Sequence, residues 1–189
     1  EFMQSAVAVG EGGMLAVLGT DADEIKKMID KYYKEIKIYL ANDNSNGQLI
    51  LSGKNEDIEK FTAVLKEKKI KNIKLPVSAP FHCELMRSAT LKMEIKINQE
   101  KMKESNHKVI SNVVANEYKN VEEIKKLLIK QIESPVRWRE SIEFMISKGT
   151  KTFVEIGPGK VLSGLIKRIN RDVKVLNIDT LEDIQTITK

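Results

Sequence analysis

A chain of 189 residues with 41% hydrophobic content is long enough to bury a core and divides into one domain or two small ones. Its charge is dense, 31% of residues, but the net of +5 is spread as lysines among acids and aromatics make up only 5%, which speaks against a nucleic-acid surface with a clustered basic stripe and stacking rings. A single cysteine rules out an intramolecular disulfide, and no apolar run approaches a membrane span, so the expectation is a cytoplasmic protein, or an organellar one if a targeting segment was lost upstream of Glu1.

Residues 13–19 are an apolar run between glycines and read as a buried strand. Residues 20–24 then bring an N-cap and first-turn acids for a helix whose Ile25, Met28, Ile29 and Tyr32 share a face. Residues 36–41 predict a second strand, 42–47 a polar turn, and 48–53 a third strand pairing back on the second. Asn55 is placed to cap the next helix, which carries Ile58, Phe61, Val64 and Leu65 as its stripe. A strand over 70–77 closes a β-α-β-β-α-β order, the ferredoxin-like split arrangement. The first predicted domain is therefore a ferredoxin-like small subdomain, residues 1–77.

From residue 84 the pattern turns helical, with Leu85, Leu91, Met93, Ile95 and Ile97 imperfectly periodic, while 109–114 reads as a short strand. A helix over 121–132 ends at Ser134-Pro135, because proline disfavours helical geometry in the residue before it. A helix over 138–147, a strand over 151–156, a Gly157-Pro158-Gly159 turn, a helix bearing Val161, Leu162, Leu165 and Ile169, a strand over 173–178 and a helix over 181–187 complete the chain. Strands alternating with helices predict a parallel α/β layer in residues 78–189, narrow for the helices it must carry.

Chemistry is expected in Leu75-Pro76-Val77-Ser78-Ala79-Pro80-Phe81-His82-Cys83-Glu84-Leu85-Met86, which holds one of two histidines, the only cysteine and two of four prolines. The prolines stiffen an extended segment and Glu84 opens a helical pattern, so His82 falls at a junction where a rigid fold can present a side chain to a cleft. Cys83 suggests a thiolate partner, but neighbours on a helix point about 100° apart, which favours a packed cysteine. His107 sits in a polar segment and reads as exposed. Neither a G-x-S-x-G elbow nor a G-x-G-x-x-G fingerprint is present, and no cluster has metal-ligand spacing. Gly157-Pro158-Gly159 offers either an anion site at a helix start or simply a sharp turn.

Five blocks carry a family resemblance: Met3-Gln4, Asn44-Ser45-Asn46-Gly47-Gln48, the stretch from Leu75 to Met86, Gln131-Ile132-Glu133-Ser134-Pro135-Val136-Arg137-Trp138, and Glu155-Ile156-Gly157-Pro158-Gly159-Lys160-Val161-Leu162. In this order they resemble the malonyl-CoA:acyl carrier protein transacylases of fatty acid synthesis and the related acyltransferase domains of polyketide synthases. The resemblance implies a ferredoxin-like small subdomain inserted in a hydrolase-like parallel α/β domain, here with only the C-terminal portion of the larger domain. It implies a serine that attacks the thioester of malonyl-CoA, with His82 as general base and acid. The backbone carbonyl of Gln131 would hold the imidazole in the useful tautomer. Phe81 would favour an unbranched acyl group, and Asn44 would help to bind substrate. It further implies coenzyme A thioester as substrate with no permanent cofactor and no metal.

The implied partners are malonyl-CoA, acyl carrier protein and the N-terminal part of the transacylase, with no nucleic acid and no membrane. Lys71, Lys74 and Lys160 are candidates for the carrier contact. The family's elbow serine, oxyanion segment and malonyl-binding arginine all lie upstream of the match to Met3. The isolated chain is therefore expected to be inactive, and an acyl adduct on it would point to Ser78, Cys83 or Ser88. The alternative is a non-enzymatic ferredoxin-like binding or interaction module derived from an acyltransferase.

Overall fold

The computed structural model describes residues 2–187 apart from Gln4, Val9 and Ser78, so Glu1, Gln4 and Ser78 of the sequence expectations lie outside the described residues. At its centre β1 (Gly12–Leu18) pairs antiparallel with β3 (Gln48–Lys54) on one side and β4 (Lys71–Lys74) on the other; β2 (Ile38–Ser45) adds to the far side of β3, giving the order β2-β3-β1-β4. Alternation along the strands assigns the two faces. Leu15, Val17, Leu49, Leu51 and Ile38 meet Ile25 and Met28 of α1 (Ala22–Tyr32) and Ile58, Phe61 and Leu65 of α2 (Asn55–Glu67). Met14, Ala16, Ala41 and Ile50 point the other way. A strand covered on both faces has to be apolar along its length, which is why β1 has no polar alternation.

Three local expectations need correction. The polar residues Asn42 to Ser45 are strand, not turn, because their backbone finds partners: β2 bulges twice but stays paired to β3, and Val136 runs beside it, with Asp43 N–H donating to Val136 O at 2.9 Å and Val136 N–H to Ala41 O at 2.8 Å. Asn55 does not cap α2. Strand β3 runs straight into that helix, so Lys54 takes the cap position and the Asn55 amide reaches back to the carbonyl of Gly10 at 2.5 Å. Strand β4 stops at Lys74, ahead of Pro76, which has no N–H to donate to a ladder. By contrast Asp21 caps α1 as its position suggests, accepting from Glu24 N–H at 2.8 Å.

The rest of the chain is helical with small sheets. A 3₁₀ turn (Glu84–Met86) leads into α3 (Arg87–Gln99), a two-residue hairpin of β5 (Ile110–Ser111) and β6 (Asn116–Glu117), α4 (Val121–Gln131) and α5 (Trp138–Ser147). Of the run 109–114 only Ile110 and Ser111 are strand and 112–114 are turn, closed by Ala115 in a left-handed conformation, φ +51°. On α3 the buried residues are Ala89, Thr90 and Ile97, while Leu91 and Ile95 of the expected apolar stripe face outward. Then β7 (Thr152–Ile156), α6 (Val161–Ile169), β8 (Lys174–Ile178) and α7 (Leu181–Ile187) follow, with β7 and β8 parallel. Phe153 of this pair packs with Ile142, Ile166 and Val173. Among the described residues no helix is long and apolar enough to cross a membrane.

Candidate functional site

The segment between β4 and the 3₁₀ turn is pressed onto the sheet face that α1 and α2 leave free. Ala79 and Pro80 are buried, and a Cβ on Gly12 would come within 2.3 Å of the Pro80 ring, so only glycine permits this approach. Phe81 follows, packed against the Met14, Ala16, Ala41 and Ile50 group and against Met86, Ala89 and Ile132. Cys83 is buried on the other flank. Between these anchors the chain turns at His82 with φ +60°. A non-glycine residue in the left-handed region costs energy and persists where its surroundings over-determine it, commonly at functional sites.

His82 Nδ1 lies 3.1 Å from the backbone carbonyl oxygen of Gln131. Gln131 ends α4, so its carbonyl is one that the helix leaves without an internal partner, and the imidazole satisfies it. A carbonyl can only accept, so Nδ1 carries the proton and donates it, and Nε2 keeps its lone pair. Burial pushes the His82 pKa below its ordinary 6.5, outweighing the upward pull of backbone hydrogen bonds with Gln131 and Ser134. The ring is therefore a neutral base at neutral pH. It lines a cavity of about 290 Å³ together with Ile29, Ile38, Leu40, Tyr39, Glu133 and Pro135. No serine or threonine is among the described residues lining that cavity.

Cys83 is no partner for this base. Burial raises the pKa of its thiol, and Sγ donates to the Pro80 carbonyl at 3.0 Å. Among the described residues no group of three or more His, Cys, Asp or Glu is arranged to hold a metal.

No family model matches the chain. Over 187 residues, 98% of its length, it is 44% identical to the malonyl CoA-acyl carrier protein transacylase of Bacillus subtilis (strain 168), of which it covers 59%. Its fold matches the crystal structure of malonyl CoA-acyl carrier protein transacylase from Clostridium perfringens with a TM-score of 0.93 at 42% identity, over 99% of this chain and 59% of that one. What the chain matches along nearly its whole length is the C-terminal part of malonyl-CoA:acyl carrier protein transacylases. A type II PKS acyl-carrier protein in complex with its malonyl-transacylase gives a TM-score of 0.92 at 32% identity, over 99% of this chain and 61% of that one. The chain thus spans about three fifths of the length of the relatives it matches.

The transacylase blocks meet in space only in part. Block 131–138 touches block 75–86 through Gln131 and His82, and touches β2 through Val136. Asn44 lies half-buried at the second bulge of β2 and is not among the residues lining the His82 cavity. Phe81 lies between two apolar clusters and likewise does not line that cavity. Block 155–162 stands apart. There the Glu155 carboxylate accepts the N–H groups of Leu162 at 3.0 Å and Ser163 at 2.7 Å, so the start of α6 is already occupied by the chain's own acid. Gly157-Pro158-Gly159 is therefore a turn and not a free anion site, with φ +130° and +86° at its glycines.

Two contacts near the site have no local signature in the sequence. The Tyr39 phenol donates to the Glu84 carboxylate, and Arg139 grips Asp43 through three hydrogen bonds of 2.8 to 3.2 Å. Their partners lie 45 and 96 residues apart, beyond the reach of any helical or strand period.

Proposed function

We propose that this chain supplies the general base of a malonyl-CoA:acyl carrier protein transacylase, with His82 acting on a serine carried by the N-terminal part of such enzymes. One observation carries the reading: a strained, half-buried His82 whose Nδ1 lies against the Gln131 carbonyl, so that Nε2 keeps the lone pair that can take a proton. The serine hydroxyl gives its proton to Nε2 as its oxygen bonds to the malonyl carbonyl carbon; the C–S bond breaks and the coenzyme A thiolate takes the proton from the imidazolium. In the return half, the phosphopantetheine thiol of acyl carrier protein loses its proton to Nε2 and attacks the acyl-serine, and the serine oxygen recovers that proton. The scheme consumes a coenzyme A thioester and calls on no resident cofactor.

Residues 1–77 are proposed as the ferredoxin-like small subdomain and 78–189 as the C-terminal part of the large α/β domain. The exposed outer residues of β7–β8 and of α3 are the surfaces the N-terminal part would cover. Left bare, they favour association. Lys71 and Lys74, exposed on the edge strand β4, and exposed Lys160 are proposed for the carrier contact, with Phe81 and Asn44 in acyl selection and substrate binding.

The sequence holds no G-H-S-x-G elbow, so the chain alone should form no acyl-enzyme. Intact-mass measurement after incubation with malonyl-CoA checks this on two proteins: the 189-residue chain, and a fusion of it to the N-terminal two fifths of the Bacillus subtilis relative. Only the fusion should gain a malonyl group, and His82→Ala in the fusion should slow acylation by about 10² to 10⁴-fold. An adduct on the isolated chain, or an unimpaired His82→Ala fusion, contradicts the scheme.

A further inference from the structure

We propose that Tyr39 is a positioning residue for His82, clamping the histidine's turn to β2 through Glu84. This rests on reading His82 as the base. Strand β2 is an outer strand of its sheet, and Val136 runs beside it only from Ala41 onward. Just before that point the Tyr39 hydroxyl donates to the carboxylate of Glu84. Glu84 opens the 3₁₀ turn two residues after His82. The bond therefore adds to the buried Cys83 and Met86 in holding the C-terminal flank of the histidine, as Pro80 on Gly12 and Phe81 in its clusters hold the N-terminal flank.

A left-handed histidine needs both flanks fixed. Released on one side, its backbone relaxes toward the ordinary negative φ and carries the ring away from the Gln131 carbonyl. The Tyr39 side chain is well placed for a purely mechanical part. It is a common wall of the His82 cavity and of a neighbouring one of about 350 Å³ lined by Lys37, Lys54, Asp57, Glu84 and Leu85. Burial, and then the Glu84 carboxylate, hold its phenol above the usual range, so it stays a donor at any working pH. The other titratable groups around the His82 cavity are Lys26, Asp30, Tyr33, Cys83 and Glu133; of these Tyr33 also hydrogen-bonds to Tyr39, a contact that Tyr39→Phe loses and Glu84→Ala keeps.

Long-range ¹H–¹⁵N NMR of the 189-residue chain tests this directly, because it has only two histidines and the exposed His107 serves as an internal reference. The unmodified chain should show His82 as the Nδ1–H tautomer, titrating below 6.5. Tyr39→Phe should raise the Nε2–H share about fivefold, the expected consequence of one lost hydrogen bond, and move the titration upward as the ring gains water. Glu84→Ala should reproduce both changes. Glu84→Gln, whose amide oxygen still accepts from the phenol, should keep the original behaviour. Unchanged tautomer and titration in Tyr39→Phe overturn the proposal, and so does a change shared by His107, the mark of general loosening. None of these readouts uses catalysis: a harmless His82→Ala in the fusion would remove the base reading while a Tyr39-dependent tautomer would still stand.

Discussion

The four-stranded sheet and the parallel pair β7–β8 meet their surroundings in opposite ways. In the four-stranded sheet β1 is sealed on both faces, with Val17 fully buried and Leu15 nearly so against α1 and α2, and Met14 and Ala16 on the other side. In the parallel pair β7–β8 one face is packed by residues of α5 and α6. On the other, Val154 and Ile156 are 46% and 79% exposed, in register with Leu176 and Ile178. Parallel sheets occur almost only with both faces covered. Both regions arise from apolar strands, so the difference lies in what is available to pack on them and not in the strands themselves. His82 sits on the sealed side, its segment pressed to the antiparallel sheet, which is what allows a strained backbone to be held.

The most forceful way to break the comparison is to open the sealed core. Phe61 is fully buried between the helices and the sheet, and Phe61→Ala should cost about 3–5 kcal/mol. Urea denaturation would show it as a lower midpoint at unchanged slope. A loss below about 1 kcal/mol would mean that this core is packed no better than the open pair.

A smaller effect is expected where the two regions are joined. Asp43 of β2, its side chain 5% exposed, receives Arg139 of α5, which also reaches Glu143. Asp43→Ala leaves the guanidinium with only the exposed Glu143, and the loss should be about 2–3 kcal/mol by the same denaturation. A neutral result would show that the regions hold together through packing and the Val136 bridge alone.

Where a segment's own period decides its structure, the sequence was enough to read it. The faces of α1 and α2, the Asp21 cap and the order of elements from α5 to α7 follow from spacing and punctuation. The misreadings fall where distant partners decide. Asn42 to Ser45 look like a turn until Val136 and Arg139 supply their hydrogen bonds, and Asn55 looks like a cap until the Gly10 loop claims its amide. At the site, the position of His82 after two prolines was legible. Its left-handed backbone and the Tyr39–Glu84 clamp were not, because they depend on residues brought together by the fold. The resemblance in five blocks carried the family, which spacing and composition alone did not reach.

The smallest expected effect is the most telling for the open sheet. Ile156 already meets water, so Ile156→Lys removes no buried surface from the folded chain and should change stability by no more than about 0.5 kcal/mol. Its consequence should appear instead in association. A contiguous apolar face drives self-contact, and a lysine on a strand with an unpaired edge discourages both face-to-face burial and edge pairing. Light scattering at rising concentration should therefore report a lower apparent mass for Ile156→Lys than for the unmodified chain. A stability loss of more than about 1.5 kcal/mol, of the size that follows from disturbing a packed core, would mean that this face is already covered within the chain, and the contrast between the two sheets would collapse. In the fusion that carries the N-terminal part the same substitution should become costly, because there the face would have a layer to pack against.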